Sequence, residues 1–278
     1  MKYAILASDF SQAAENALVH AATIAKKAHL DLVILHIKNN HTEKLLEAVG
    51  QESGDLEPYM KSICDAASNT YGIQCRPVVR EGSIFNEISH EASDPDCVML
   101  VMGTHGSRGL RQKLFGADLL KIAKKTTIPV LATPDNARLV NDGIQRILFP
   151  YGGREHFEQK LKAVAFLAGL YSAEVVFYTI DRPGMHMGEK TKASIEKAVV
   201  TLTEKGIRHQ MVRDEMKSFS IGFANQTLAY AKENSIQMIA VISTPGDKLA
   251  FISEVDKEAL INNEYGISIL LTADTEVE

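Results

Sequence analysis

Glycines and one carboxylate are the residues of this 278-residue chain best placed to do chemistry. Gly103, Gly106 and Gly109 lie in the segment Gly103-Thr104-His105-Gly106-Ser107-Arg108-Gly109, directly after the apolar run Cys97-Val98-Met99-Leu100-Val101-Met102. A glycine loop leaving a buried strand lets backbone N–H groups approach an anion with no Cβ in the way. Gly116 then opens a helical pattern, whose unpaired N–H groups and positive dipole end favour phosphate. Asp9 follows the first apolar run, residues 3–8, and its carboxylate can accept from a ribose hydroxyl or an adenine amino group. Glycines at strand ends serve as plain turns about as often, so the loop alone leaves both readings open.

Other chemistries find little support. The chain has neither G-x4-G-K-[ST] nor G-x-G-x-x-G, and its residues suggest no Ser-His-Asp or Cys-His arrangement. His20, His29 and His36 read as surface or strand-end residues, because no histidine pair has ligand spacing with a third donor. His105 lies inside the glycine loop, where it either touches phosphate or is simply exposed. Cys64, Cys75 and Cys97 are odd in number and lack CxxC spacing, which argues against a zinc site or disulfide framework. A net charge of −5 gives no general attraction for nucleic acid or anionic lipid. No apolar run approaches the ~18 residues of a membrane span, and the start lacks a signal-peptide pattern, so a cytoplasmic location is expected.

The elements that would position these residues occur twice. At an offset of 143, Glu15, Leu18, Ala22, Ala25, Val33 and Ile37 fall on Glu158, Leu161, Ala165, Ala168, Val176 and Ile180. Val101, Thr104 and Gly106 then match Val241, Thr244 and Gly246 at 140, and Ile128, Leu131 and Thr133 match Ile267, Leu270 and Thr272 at 139. Three blocks in one order indicate a duplication with small loop insertions. In the first copy strands are expected at residues 3–8, 31–38, 74–79, 97–102 and 129–133. Helices are expected at 11–28, across 39–71 with a break at 50–54, from Ser83, and at 117–125. The second copy has strands near 144–150, 174–180, 207–212, 238–242 and 267–271. The βαβα order predicts two tandem α/β domains, residues 1–136 and 143–278, each a five-stranded parallel sheet with helices on both faces.

The combination Gly103-x2-Gly106-x9-Gly116 resembles the phosphate-binding signature of universal stress proteins, G-x2-G-x9-G followed by Ser or Thr. Ala7-Ser8-Asp9-Phe10-Ser11, Leu35-His36-Ile37 and Ile128-Pro129-Val130-Leu131 are similar to that family's first, second and last strand segments. The resemblance spans residues 2–133 and, more weakly, 144–272. It implies a Rossmann-like fold of the adenine nucleotide alpha hydrolase type, ATP or another adenine nucleotide as ligand in some members, and pairing of domains. Carried over, Ala7, Asp9 and Ile37 would surround adenine and ribose, while Gly103, Gly106, Gly116 and Ala117 would hold phosphates.

Two departures matter. Ala117 stands where the family's binders have a hydroxyl, and Asp118 follows it in the first helical turn, where it competes with phosphate for the helix dipole. Arg108, Arg111 and Lys113 either offset that charge or form a solvated basic loop. In the second copy Gly152 replaces Asp9, Ser243 replaces Gly103 and Asp256 falls on Gly116; Gly246 remains, behind Pro245. Two functions are therefore expected to compete. One is an adenine-nucleotide-binding stress-response regulator with its site in the first domain. The other is a ligand-independent, dimerising interaction module. A dedicated enzyme is not expected; slow ATP hydrolysis is the most such a site would support. The two final strands, 129–133 and 267–271, are expected to pair as an internal pseudo-dimer, since an apolar edge needs cover.

Overall fold

The computed structural model describes residues 1–52, 54–104, 116–141, 143–152, 157–181, 187–215, 222–244 and 252–273. The first half runs β1 (Tyr3–Ala7), α1 (Gln12–Ala28), β2 (Asp31–Lys38), α2 (Thr42–Ala48), α3 (Leu56–Tyr71) and β3 (Cys75–Glu81). It continues through α4 (Ile84–Glu91), β4 (Cys97–Gly103), α5 (Gly116–Lys125) and β5 (Val130–Thr133). The second half runs β6 (Arg146–Pro150), α6 (Glu158–Tyr171), β7 (Glu174–Asp181), α7 (Glu189–Glu204) and β8 (His209–Glu215). It ends with α8 (Phe223–Glu233), β9 (Met238–Ile242), α9 (Glu254–Ile261) and β10 (Ser268–Thr272).

Local chemistry sets these boundaries. Ser11, expected inside the first helix, is its N-cap: its hydroxyl accepts the Ala14 N–H at 3.2 Å. Lys26 and Lys27 face the negative end of the same helix, and His29 closes it in a left-handed conformation. α3 ends the same way on Gly72, at φ 69°. β3 runs two residues past its expected end because its pairing with β2 continues to Lys38–Glu81.

All the described strands join in one sheet, ordered β3-β2-β1-β4-β5-β10-β9-β6-β7-β8. Within each half the pairing is parallel. The halves meet antiparallel, with Leu131 opposite Leu270, so the final strands pair as the repeat predicts. The duplication is visible in register as well: Ala7 pairs with Leu35 as Pro150 pairs with Tyr178. Alternating side chains feed two apolar layers. One holds Leu6, Ile34, Phe149 and Phe177 under α1, α3, α6 and α7. The other holds Ile5, Val33, Leu100 and Val176 under α4, α5, α8 and α9. At ~25 cal/mol per Å² of buried apolar area, these two layers are the main source of stability. No described helix is long and apolar enough to cross a membrane.

One sequence expectation fails on burial. His20 is 2% exposed and belongs to the interior, whereas His36 is a strand-end residue of β2 as expected, though equally buried. Ala-rich neighbours at 17, 21, 22 and 25 bring α1 so close to the sheet that His20 is enclosed with it. His29 is exposed, as expected.

Candidate functional site

The chain leaves β1 outward to β2 and β3, then crosses back to β4 on the other side of β1. Ligands in open α/β sheets bind where the strand order reverses, outside the carboxyl ends. That switch point lies between β1 and β4, and Ala7 sits there, in register with Leu35 on one side and Met102 on the other. Gly103 follows Met102 directly. Ala7 and Gly103 are half-buried, and Ile37, two residues beyond Leu35, is a buried apolar wall. Thus Ala7, Ile37 and Gly103 converge with Asp9 at the ends of three adjacent strands. Gly106, with His105, Gly109, Arg108, Arg111 and Lys113, lies outside the described residues.

The turn carrying Asp9 is tightly specified. Phe10 adopts φ 61°, a left-handed conformation that bulky residues avoid. Its N–H donates to the Ser8 hydroxyl at 3.2 Å, and the Ser11 N–H donates to Asp9 Oδ1 at 3.1 Å. The Phe10 ring stacks on His36 at 4.5 Å between centroids and meets Tyr59 edge-on at 5.2 Å. His36 is fixed from both sides. Its Nδ1–H donates to the Ser8 carbonyl at 2.9 Å, since a carbonyl only accepts, and its Nε2 then accepts from the Thr42 hydroxyl at 3.1 Å. Burial lowers the His36 pKa, which keeps this neutral tautomer in place. Thr42 Oγ1 in turn accepts the Asn39 N–H at 2.9 Å, closing the turn after β2. Sequence reasoning missed this brace; the Asn39-Asn40 turn pair was its one visible sign.

The glycine at 103 has a second reason to be there. A Cβ on it would stand 2.7 Å from the Ala13 carbonyl carbon, so α1 can cross the end of β4 only over a glycine. Gly116 is the first residue of α5, and Ala117 is half-buried behind it. Asp118 is not a bare charge. Its carboxylate takes the Lys121 ammonium at 3.3 Å, one turn along the same helix.

The corresponding places in the second half are built differently. Gly152 is buried and offers no carboxylate. The Ser243 hydroxyl is fully buried, shared between the Thr272 carbonyl at 3.1 Å and the Ala123 carbonyl of the first half at 3.2 Å. By the strand register, Met102–Ala132 against Ile242–Thr272, the offset stays at 140 and Asp256 falls on Gly116. Asp256 accepts the Ser253 N–H and hydroxyl at 3.3 and 2.6 Å in a capping box. It also takes the Ala224 N–H of α8 at 3.1 Å. A resident carboxylate thus serves two helix starts where an external anion would otherwise bind. Pro245 and Gly246 lie outside the described residues. Among the described residues no three His, Cys, Asp or Glu side chains gather as metal ligands.

Residues 1–134 match the universal stress protein family. A universal stress protein of Methanocaldococcus jannaschii is 25% identical over 144 residues, 45% of this chain and 89% of that protein. In structure, a universal stress protein from Archaeoglobus fulgidus covers 99% of this chain and 97% of its own, with a TM-score of 0.69 at 13% identity. The cytoplasmic domain of a prokaryotic cation chloride cotransporter covers 100% and 97%, with a TM-score of 0.53 at 13% identity. Identities this low speak for the fold alone, and one fold serves several functions. Residues 1–134 belong to the universal stress protein family, and over its whole length the chain shares the fold of the Archaeoglobus fulgidus structure.

Proposed function

We propose that the chain is a stress-response regulator that binds ATP or another adenine nucleotide in its first half. The observation that carries this reading is the convergence of Ala7, Asp9, Ile37 and Gly103 at the β1/β4 switch point. Adenine packs on Ile37 and Ala7, and Asp9, whose Oδ1 is already oriented by the Ser11 N–H, accepts from ribose or the base. Gly103, Gly106 and the Gly116-Ala117 start of α5 receive the phosphates. The chain divides at residues 136 and 143 into a ligand-binding domain and a partner domain, paired by β5 and β10 as an internal pseudo-dimer. In this reading the output is binding, with slow ATP hydrolysis the most the site would add.

Calorimetry on the full chain, freed of co-purified nucleotide, tests this with ATP, ADP and AMP. Asp9→Ala and Gly106→Val should each weaken binding about tenfold or more, through a lost charge-assisted hydrogen bond and a blocked backbone approach. The Lys121 contact leaves part of the Asp118 charge uncompensated, so ADP or AMP should bind at least as well as ATP. Ala117→Ser with Asp118→Asn should then favour ATP. Full-strength binding by Asp9→Ala would end the assignment. An absence of heat with all three nucleotides would favour the second reading, a ligand-independent module held by the β5–β10 seam and the Lys124–Glu254 ion pair across it at 2.6 Å.

A further inference from the structure

The second half opens a cavity of about 670 Å³ between α7 and the carboxyl ends of β6, β7 and β8. It lies on the α1/α3/α6/α7 side of the sheet, away from Ile37 and the nucleotide residues, and its volume is that of a small-molecule site. Ile195, Val199, Val200 and Met211 supply apolar walls. Tyr151 lines the interior, fully buried, and among the described residues its hydroxyl makes no close hydrogen bond. A buried hydroxyl left unpaired is costly, and native interiors seldom tolerate one without a reason. Arg213, on the edge strand, stands near enough to pull the Tyr151 pKa down against the burial that raises it. Arg213 enters no ion pair among the described residues.

The first half shows why the space exists. The register pairs His36 with Val79 and Thr179 with Arg213, so Thr179 replaces His36 and Arg213 replaces Val79. By the same repeat Ser8 becomes Tyr151, and Gly153 is the sequence counterpart of Phe10. The sequence at these two counterparts has no ring to repeat the Phe10–His36 stack, and the first half's own cavity beside Ser8, Phe10 and Tyr59 is smaller, at about 370 Å³. The corner therefore exchanged two aromatic plugs for a cation and a phenol at the mouth of an apolar slot.

We propose that this cavity is a second ligand site, which takes a small monoanionic amphipath, an aromatic or aliphatic acid. Tyr151 O–H and the Arg213 guanidinium are both donors, so the head group they receive is rich in acceptors. The charge is limited to one, because Asp181 and Glu196 also line the cavity and cancel much of a larger anion's gain. Lys192, the other lining cation, is already held by Glu189 at 2.7 Å. A nucleoside triphosphate is the wrong occupant on both size of charge and apolar lining.

The test uses the full chain with two fluorescent probes of one shape: 8-anilinonaphthalene-1-sulfonate, a monoanion, and uncharged 1-anilinonaphthalene. Both should bind saturably at one site per chain, unchanged by millimolar ATP. Arg213→Leu should weaken the sulfonate about tenfold or more while leaving the uncharged probe within about twofold, as expected for a lost charge-assisted contact. Val199→Trp, or Met211→Trp on the exposed edge strand, should fill the slot and remove both, with melting curves verifying that each variant is folded. The proposal is overturned if neither probe saturates, if both tryptophan variants bind normally, or if Arg213→Leu weakens the two probes equally.

Discussion

His20 makes the stability of this protein depend on pH in a calculable way. Burial lowers its pKa from 6.5 to about 4, and neither ring nitrogen has a close hydrogen-bond partner among the described residues, although the Ala137 carbonyl lies nearby. The folded state thus refuses a proton that the unfolded chain accepts below pH 6.5. The contribution is complete above that value, declines as the pH falls from 6.5 toward 4, and is gone below it. At about 1.4 kcal/mol for each tenfold in proton affinity, the gap between 6.5 and 4 corresponds to about 3 kcal/mol. His36, also lowered by burial, acts in the same direction. Replacing His20 by Leu removes the titrating ring without leaving a polar group unpaired. Urea unfolding of both proteins at pH 7 and pH 4.5 isolates the effect, because the carboxylates common to both cancel in the difference. Wild type should lose about 2 to 3 kcal/mol more than His20→Leu over that interval. Parallel losses in the two proteins would refute the reasoning.

Two further outcomes rest on close contacts. Gly103→Ala puts a methyl 2.7 Å from the Ala13 carbonyl carbon and should cost about 1–3 kcal/mol by forcing α1 off the end of β4, read as a lower Tm. Asp256→Ala removes the carboxylate serving the starts of α8 and α9 and should cost about 1–2 kcal/mol in chemical denaturation, with the nucleotide titration of the first half unchanged.

The fold was largely legible because period and repeat are strong signals. The apolar runs at residues 31–38 and 238–242 have the bounds of β2 and β9, and the matched Leu131 and Leu270 face each other across the seam. The parts that were not legible depend on packing. Nothing in the types of His20 and His36 says that they are interior; the alanine face of α1 and the left-handed turn at Phe10 decide it. Asp9, Ala7 and Ile37 could be placed at strand ends from alternation alone, but the order β2-β1-β4 that brings Gly103 beside them is a crossover, and a crossover leaves no periodicity. The Lys121 partner of Asp118 was hidden because the sequence shows who is three residues away without showing which way each side chain turns. The Tyr151–Arg213 corner was invisible for the same reason, since its members are joined only by strand register.

Fusion through an antiparallel seam also fixes a direction. All first-half strands point one way and all second-half strands the other, so the carboxyl ends of β1 and β6 open at opposite rims of the sheet. Molecules held at the two rims never share a solvent front, and neither can screen or displace the other by contact. Coupling between them has to cross the seam, through the enclosed rungs joining residues 130–132 to 269–271 and the contacts beside them, Ser243 to the Ala123 carbonyl and Lys124 to Glu254. In a dimer of identical chains, a change at one rim would be copied at the other. Within one polypeptide each rim accumulates its own substitutions, so the two halves diverge in chemistry while staying at a fixed one-to-one ratio.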